Sequence, residues 1–368
     1  MKEQARKEGL TKRILKITAV ALAAAIILPL AVIFAGRGIN AVRFNISDGV
    51  QERYFVMLGG IEQKIHIRGE SENNPVVIWL HGGPGWSCAY ELALWQYMME
   101  NDFTFVRWDQ RGSGRTHSRN PGAPLSLDIL IADLDDLVKY VTARFGQPVY
   151  IVGDSWGSNF GITYASRHPE NIAGFVGVGQ FINSAQSNRI AIETASERAI
   201  AAGNFNDAEQ MWSVYERIRG KGFADVDFTA DLDDFVLIQH LPAPYLAPRY
   251  ESQGAGIVFS PWFGFHEIRE LISVFLVSNR TFFDRNRPLF YEIDNFVPPE
   301  SLEVPVAFIM GSEDFITNTS LVADYYSRLE APSISMFIIE GAGHSPYRVQ
   351  PELFAEKLRE ALAGFREH

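Results

Sequence analysis

The chain has one cysteine in 368 residues, Cys88. An intrachain disulfide is therefore excluded, and so is any zinc site built from paired cysteines. No run of glycines ending in Lys-Ser or Lys-Thr forms a phosphate cradle, and His/Cys spacing of the metal-binding kind is absent. No cofactor is expected. Internal repeats and low-complexity tracts are also missing. Basic charge is scarce: the formal net charge is −11. The basic residues Lys2, Arg6, Lys7, Lys12, Arg13 and Lys16 crowd the first sixteen positions, against Glu3 and Glu8, so the remainder is more acidic still. An acidic body argues against nucleic acid or anionic lipid surfaces as partners.

Long apolar runs are rare too, with one exception. Ile17 to Ala35 holds no charged residue over 19 positions. About 20 residues cross a bilayer as a helix, and Pro29 within the run is tolerated there. The preceding cluster of Lys and Arg predicts a cytoplasmic N-terminus and an exported body. A cleaved signal peptide is the rival reading. Its apolar core is usually about 7–15 residues and closes on a small-x-small site, which Ile33-Phe34-Ala35 matches poorly. A retained single-helix anchor is expected, with secretion after cleavage as the alternative.

The most informative residues are Gly153-Asp154-Ser155-Trp156-Gly157. They match G-x-S-x-G between an apolar β-type run, Val149 to Val152, and a helix-compatible stretch from Ser158. Such a turn strains its central residue and exposes the side chain. Ser155 reads as a nucleophile. A serine needs a base to take its proton, and the base needs an orienting acid. On a strand-turn-helix site of this type the chain order is Ser, Asp or Glu, then His. Asp314 follows the apolar run Val304 to Met310, with Glu313 as a rival acid and helix capping as Asp314's bland use. His344 follows the run Ile334 to Ile339, flanked by glycine. All three candidates fall just past strand ends, where ligands bind in open α/β sheets. Cys88 is a weaker nucleophile candidate beside Ser155.

A second loop, His81-Gly82-Gly83-Pro84-Gly85, follows the buried-type run Val76 to Leu80. Its glycines let backbone N–H groups approach a ligand. In sites of this type one oxyanion donor is the N–H after the nucleophile, here Trp156. The other comes from this loop, assigned to Gly83 with Gly82 second. His81 is expected to brace the loop.

Three blocks together carry a resemblance: His81 to Gly85, Trp108-Asp-Gln-Arg-Gly-Ser-Gly-Arg115, and Gly153 to Ser158. The chain resembles the α/β-hydrolase superfamily, and within it the proline iminopeptidase-like group of serine aminopeptidases. The resemblance implies a triad of Ser155, Asp314 and His344, and an oxyanion hole of Gly83 and Trp156. It also implies that the Trp108–Arg115 block is a strand and loop packed beneath the site. Acidic cap residues bind the substrate's α-amino group in that group of enzymes. The Trp212-Ser-Val-Tyr215-Glu216 stretch is similar to a family cap segment, which makes Glu216 the substrate-binding candidate.

The expected fold is an α/β-hydrolase fold with a mostly parallel sheet, an inserted helical cap and an N-terminal transmembrane helix. The expected boundaries are 1–36 for the anchor, 37–180 and 296–368 for the core, and 181–295 for the cap. Gln51–Leu58 and Glu62–Arg68 should pair as a hairpin about Gly59-Gly60. The Phe-rich cap, with Phe259 to Phe265, Phe275, Phe282, Phe283 and Phe290, suits an apolar pocket, though aromatics at helical spacing are more often core. The expected activity is acyl-enzyme hydrolysis of a small-molecule or short peptide substrate. An aminopeptidase releasing N-terminal residues such as proline leads. A carboxylesterase or lipase-like enzyme is the alternative, and a non-catalytic binding protein a third.

Overall fold

The computed structural model describes residues 2–85, 94–221, 234, 237–238, 241–246 and 279–367. Cys88, the Phe259–Phe265 run and Phe275 lie outside the described residues. Eight strands form one sheet in the order β1-β2-β4-β3-β5-β6-β7-β8. The strands are β1 (Val50–Leu58), β2 (Ile61–Gly69), β3 (Val76–Leu80), β4 (Thr104–Trp108), β5 (Val149–Asp154), β6 (Ile172–Val178), β7 (Val306–Gly311) and β8 (Ile334–Ile339). β2 runs antiparallel to β1 and β4, and every pairing from β4 to β8 is parallel. Gly59 and Gly60 make the β1–β2 turn, both at positive φ (54° and 77°), which only glycine adopts without cost.

Alternation sorts the side chains into two cores. Val76, Ile78 and Leu80 of β3 enter one apolar cluster, while Val77 and Trp79 enter the other. The first is covered by α3 (Leu127–Phe145) and α4 (Trp156–Arg167), the second by a C-terminal helix, Pro351–Gly364. Burial on both faces is what a parallel sheet requires, and it explains the near-continuous apolar runs of its strands. Short α2 (Gly114–Arg119) follows β4.

The chain between β6 and β7 leaves the sheet. It contains α5 (Ser184–Ala201), α6 (Phe205–Ile218), α7 (Ala243–Leu246) and α8 (Asn279–Asp294). α5 and α6 pack on each other through a separate cluster centred on Ile192, Ala195 and Met211. α8 instead sends Phe282, Leu289 and Phe290 into the sheet's own core, with Phe283 against them. These phenylalanines are packing residues.

Helix α1 (Lys2–Arg43) contains the apolar run and extends past it. Its stretch from Leu15 is long and apolar enough to cross a membrane, and the apolar window is 0% buried against the body.

Candidate active site

Ser155 sits at the strand-to-helix corner between β5 and α4 with φ 51° and ψ −117°. It is the one non-glycine residue with φ well into the left-handed range among the described residues. Such a conformation costs about 1–3 kcal/mol and persists only where the surroundings enforce it. Two glycines enforce it here. A Cβ on Gly153 would lie 2.3 Å from the Gly157 carbonyl oxygen, and one on Gly157 would lie 2.1 Å from the Leu80 oxygen. The corner is therefore packed tightly against β3. Its backbone is pinned by Ser155 N–H donating to Val178 O at 2.9 Å.

His344 reaches this corner from the loop after β8. Its Nε2 lies 2.9 Å from Ser155 Oγ, and its Nδ1 lies 3.0 Å from Asp314 Oδ2. Asp314, in the loop after β7, is fully enclosed, while His344 keeps 14% side-chain exposure. Asp314 also accepts from the N–H groups of Ile316 (2.9 Å) and Thr317 (3.0 Å) and from the Thr317 hydroxyl (2.7 Å). Burial opposes its charge, but His344 and these donors outweigh that, and its pKa falls below the ordinary value. Burial likewise opposes charge on His344. The charge of Asp314, its hydrogen bond and the charge of Asp154 override it and raise the imidazole pKa. With Nδ1–H given to Asp314, Nε2 is left to accept the Ser155 proton. Glu313 takes a different part, its carboxylate pairing with Arg198 of α5 at 3.2 Å.

The His81–Gly85 loop lies over the corner. A Cβ on Gly82 would be 3.2 Å from Ser155 Cβ and 3.1 Å from Asp154 Oδ2. Gly83 and Gly85 both have positive φ, 131° and 78°. His81 braces this loop against the Trp108–Arg115 block. Its Nδ1 donates to Gly82 O at 2.8 Å, while Gln110 N–H approaches Nε2 at 3.3 Å and Ser113 Oγ lies 3.1 Å away. Burial pushes its pKa down to about 4, so it stays neutral near pH 7 and carries no proton chemistry there. Arg111 of the same block makes a buried bidentate pair with Asp133 of α3 at 2.7 and 2.8 Å and donates to Gly59 O.

Asp154 is a site residue that motif reasoning passes over. It is the variable position before the serine, and it is buried. Its Oδ2 accepts from the Tyr347 hydroxyl at 3.1 Å, the Gly82 backbone donates to the same carboxyl, and burial pushes its pKa up to about 6. It thus ties the glycine loop to the serine corner and places a second carboxylate beside His344. The available signal is an acidic side chain in a slot enclosed by strand and helix.

Glu216 is not brought to this group. It lies on an exposed face of α6, and its two oxygens are held by the Arg219 guanidinium at 2.8 and 3.0 Å. Spacing of three residues at a helix end explains the pair. Trp212 and Tyr215 pack edge to face with centroids 5.7 Å apart, on the surface of the α5–α6 unit.

A family model described as serine aminopeptidase, S33, matches residues 71–211. Over 314 residues the chain is 25% identical to a probable aminopeptidase of Bacillus subtilis (strain 168), covering 82% of this chain and 93% of the relative. A shorter match, 36% identical over 124 residues, is to a proline iminopeptidase of Neisseria gonorrhoeae, covering 32% of this chain and 38% of that one. Among solved structures, a bacterial membrane phospholipase A superposes with a TM-score of 0.55 at 18% identity, covering 98% of this chain and all of its own. A proline iminopeptidase-related protein from Thermus thermophilus gives 0.54 at 19% identity, covering 86% of this chain and 98% of its own. At these identities the structures speak for the fold. Strand order, serine corner and sequence relatives converge on one architecture, and the chain has the α/β-hydrolase fold.

Proposed function

We propose that this protein is a serine hydrolase acting through an acyl-enzyme, and that it is an aminopeptidase releasing N-terminal residues such as proline. Ser155 Oγ attacks the scissile carbonyl as its proton passes to His344 Nε2. Asp314 holds Nδ1–H and stabilises the imidazolium. Backbone N–H groups of Gly83 and Trp156, with Gly82 as second loop donor, hold the oxyanion. One such donor is typically worth about 100- to 1000-fold in rate. The imidazolium then protonates the leaving amine, and water enters by the same route to free the acyl group.

The observation that carries this reading is the unbroken hydrogen-bond chain Ser155–His344–Asp314, 2.9 and 3.0 Å long. The aminopeptidase assignment draws on the relatives, one named a probable aminopeptidase and one a proline iminopeptidase. An ester hydrolase is the second reading. What favours it is the engagement of Glu216 by Arg219, which occupies the carboxylate singled out for a substrate amine. We also infer that residues 1–36 form a retained anchor with the body exported. The apolar run and its basic N-terminal flank support this.

Purified protein and Ser155→Ala should be compared on a prolyl arylamide, its N-acylated form and a short-chain aryl ester. Cleavage confined to the free amine is the expected result. Equal cleavage of the N-acylated form would sink amine recognition, and turnover of the ester alone would favour the second reading.

A further inference from the structure

The chain enters its sheet at the edge opposite the triad. β1 begins at Val50, paired with Gly69, and Arg68 lies opposite Phe105, the second residue of β4. β4 and β3 run parallel, with Phe105 beside Val77, so these positions mark the amino ends of the parallel strands. His81, Ser155, Asp314 and His344 follow the carboxyl ends. At about 3.3 Å per residue, a five-residue strand separates the two edges by roughly 15 Å.

Helix α1 does not reach that edge as a slack tether. Arg68, 1% exposed, gathers the joint. Its Nη2 donates to Phe44 O at 2.8 Å and its Nη1 to Gln51 Oε1 at 2.5 Å. The same guanidinium holds both Glu100 oxygens at 2.8 Å. The Phe44 ring lies 4.9 Å from that of Tyr97. Phe44 N–H donates to Asn40 O at 2.9 Å, so the helix runs unbroken into the joint. A buried bidentate Arg–carboxylate pair with further acceptors fixes the guanidinium in one geometry. The apolar window of α1 is 0% buried, so none of it is enclosed in the body's core. Residues 36–43 add about 12 Å of helix between the apolar run and Phe44.

We propose that the Arg68 joint holds the triad-bearing edge away from the bilayer, so that the anchored enzyme takes water-soluble substrates and not membrane lipids. The proposal rests on the anchored-hydrolase reading and narrows its substrate class. The acidic body agrees with it, because anionic headgroups repel such a surface.

The test uses the full chain in liposomes containing lipids with a quencher on the acyl chain. One fluorophore is placed on Ser155 with a fluorophosphonate, and a second on Gly60→Cys in a Cys88→Ser background. Gly60 is the exposed hairpin tip at the triad edge with open space for a Cβ, so it reports orientation without relying on Ser155 chemistry. Circular dichroism checks that the cost of a cysteine at positive φ leaves the fold intact. Aqueous iodide should quench both probes and the lipid-borne quencher neither. Inserting a ten-residue Gly/Ser linker after Arg43 should make lipid quenching measurable at Gly60→Cys. Lipid quenching in the unmodified joint overturns the proposal, as does a linker variant indistinguishable from the parent. A chain that fails to float with the liposomes overturns the anchor and the proposal together. Failure of Ser155 alone to label contradicts the catalytic reading and leaves the Gly60→Cys result standing.

Discussion

The sheet core and the α5–α6 unit bury their charges differently. In the core, Arg111 and Asp133 pair with 3% and 0% side-chain exposure, and Arg68 and Glu100 with 1% and 4%. On α5 and α6 the pairs are open: Arg189–Glu193 at 65% and 39%, Arg219–Glu216 at 62% and 48%. Buried pairs are costly to break, whereas exposed ones are worth about 0–1 kcal/mol. The core pairs are therefore the costlier ones to lose. The α5–α6 unit meets the acid loop through the half-exposed Arg198–Glu313 pair and Arg198 over Phe315.

Substitutions should divide along the same line, and the largest effects belong to the core. His344→Ala should lower kcat/KM by about 10⁴- to 10⁶-fold with the fold intact by circular dichroism. Asp314→Asn should cost about 10⁴-fold, because it no longer secures the imidazole tautomer. Asp154→Asn should act mainly on the pH profile. The parent kcat/KM should rise with pH as His344 loses its proton, with a midpoint above the ordinary imidazole value, since the net influence of its neighbours raises that pKa. Removing the Asp154 charge removes one raising influence, so the rising limb should move to lower pH. An unmoved limb would show that Asp154 acts only by packing. On the helical unit, Arg198→Ala should change kcat/KM by less than about fivefold, and Glu216→Gln by less than about twofold. A large loss of free-amine cleavage in Glu216→Gln would erase the contrast between the regions.

Legibility follows the same division. Val76–Leu80 is readable to the residue because burial makes every position apolar, and Ile334–Ile339, an edge strand closed by the buried Ile339, is readable from its apolar residues at both ends. The Val304 run pairs only from Val306, since Pro305 has no N–H to give the ladder. β6 begins at Ile172 and not Phe175, because Gly174 masks a strand position packed under Phe365. The hydrogen-bonded group of Ser155, His344 and Asp314 is legible because segments at the strand ends carry it in a fixed order. The support from Thr317, Tyr347 and Asp154 is not, since it depends on how a loop, a short helix and a strand end meet. An aromatic pair points Glu216 towards the substrate in sequence, although Arg219 three residues on offers it a local partner.

The most direct measurement is active-site labelling of the purified full chain with a fluorophosphonate, followed by peptide mass analysis. The expected result is one adduct, on Ser155, formed faster as pH rises through the His344 titration and lost in His344→Ala. An adduct on another residue, or none on Ser155 in folded protein, would contradict the nucleophile assignment on which the account turns.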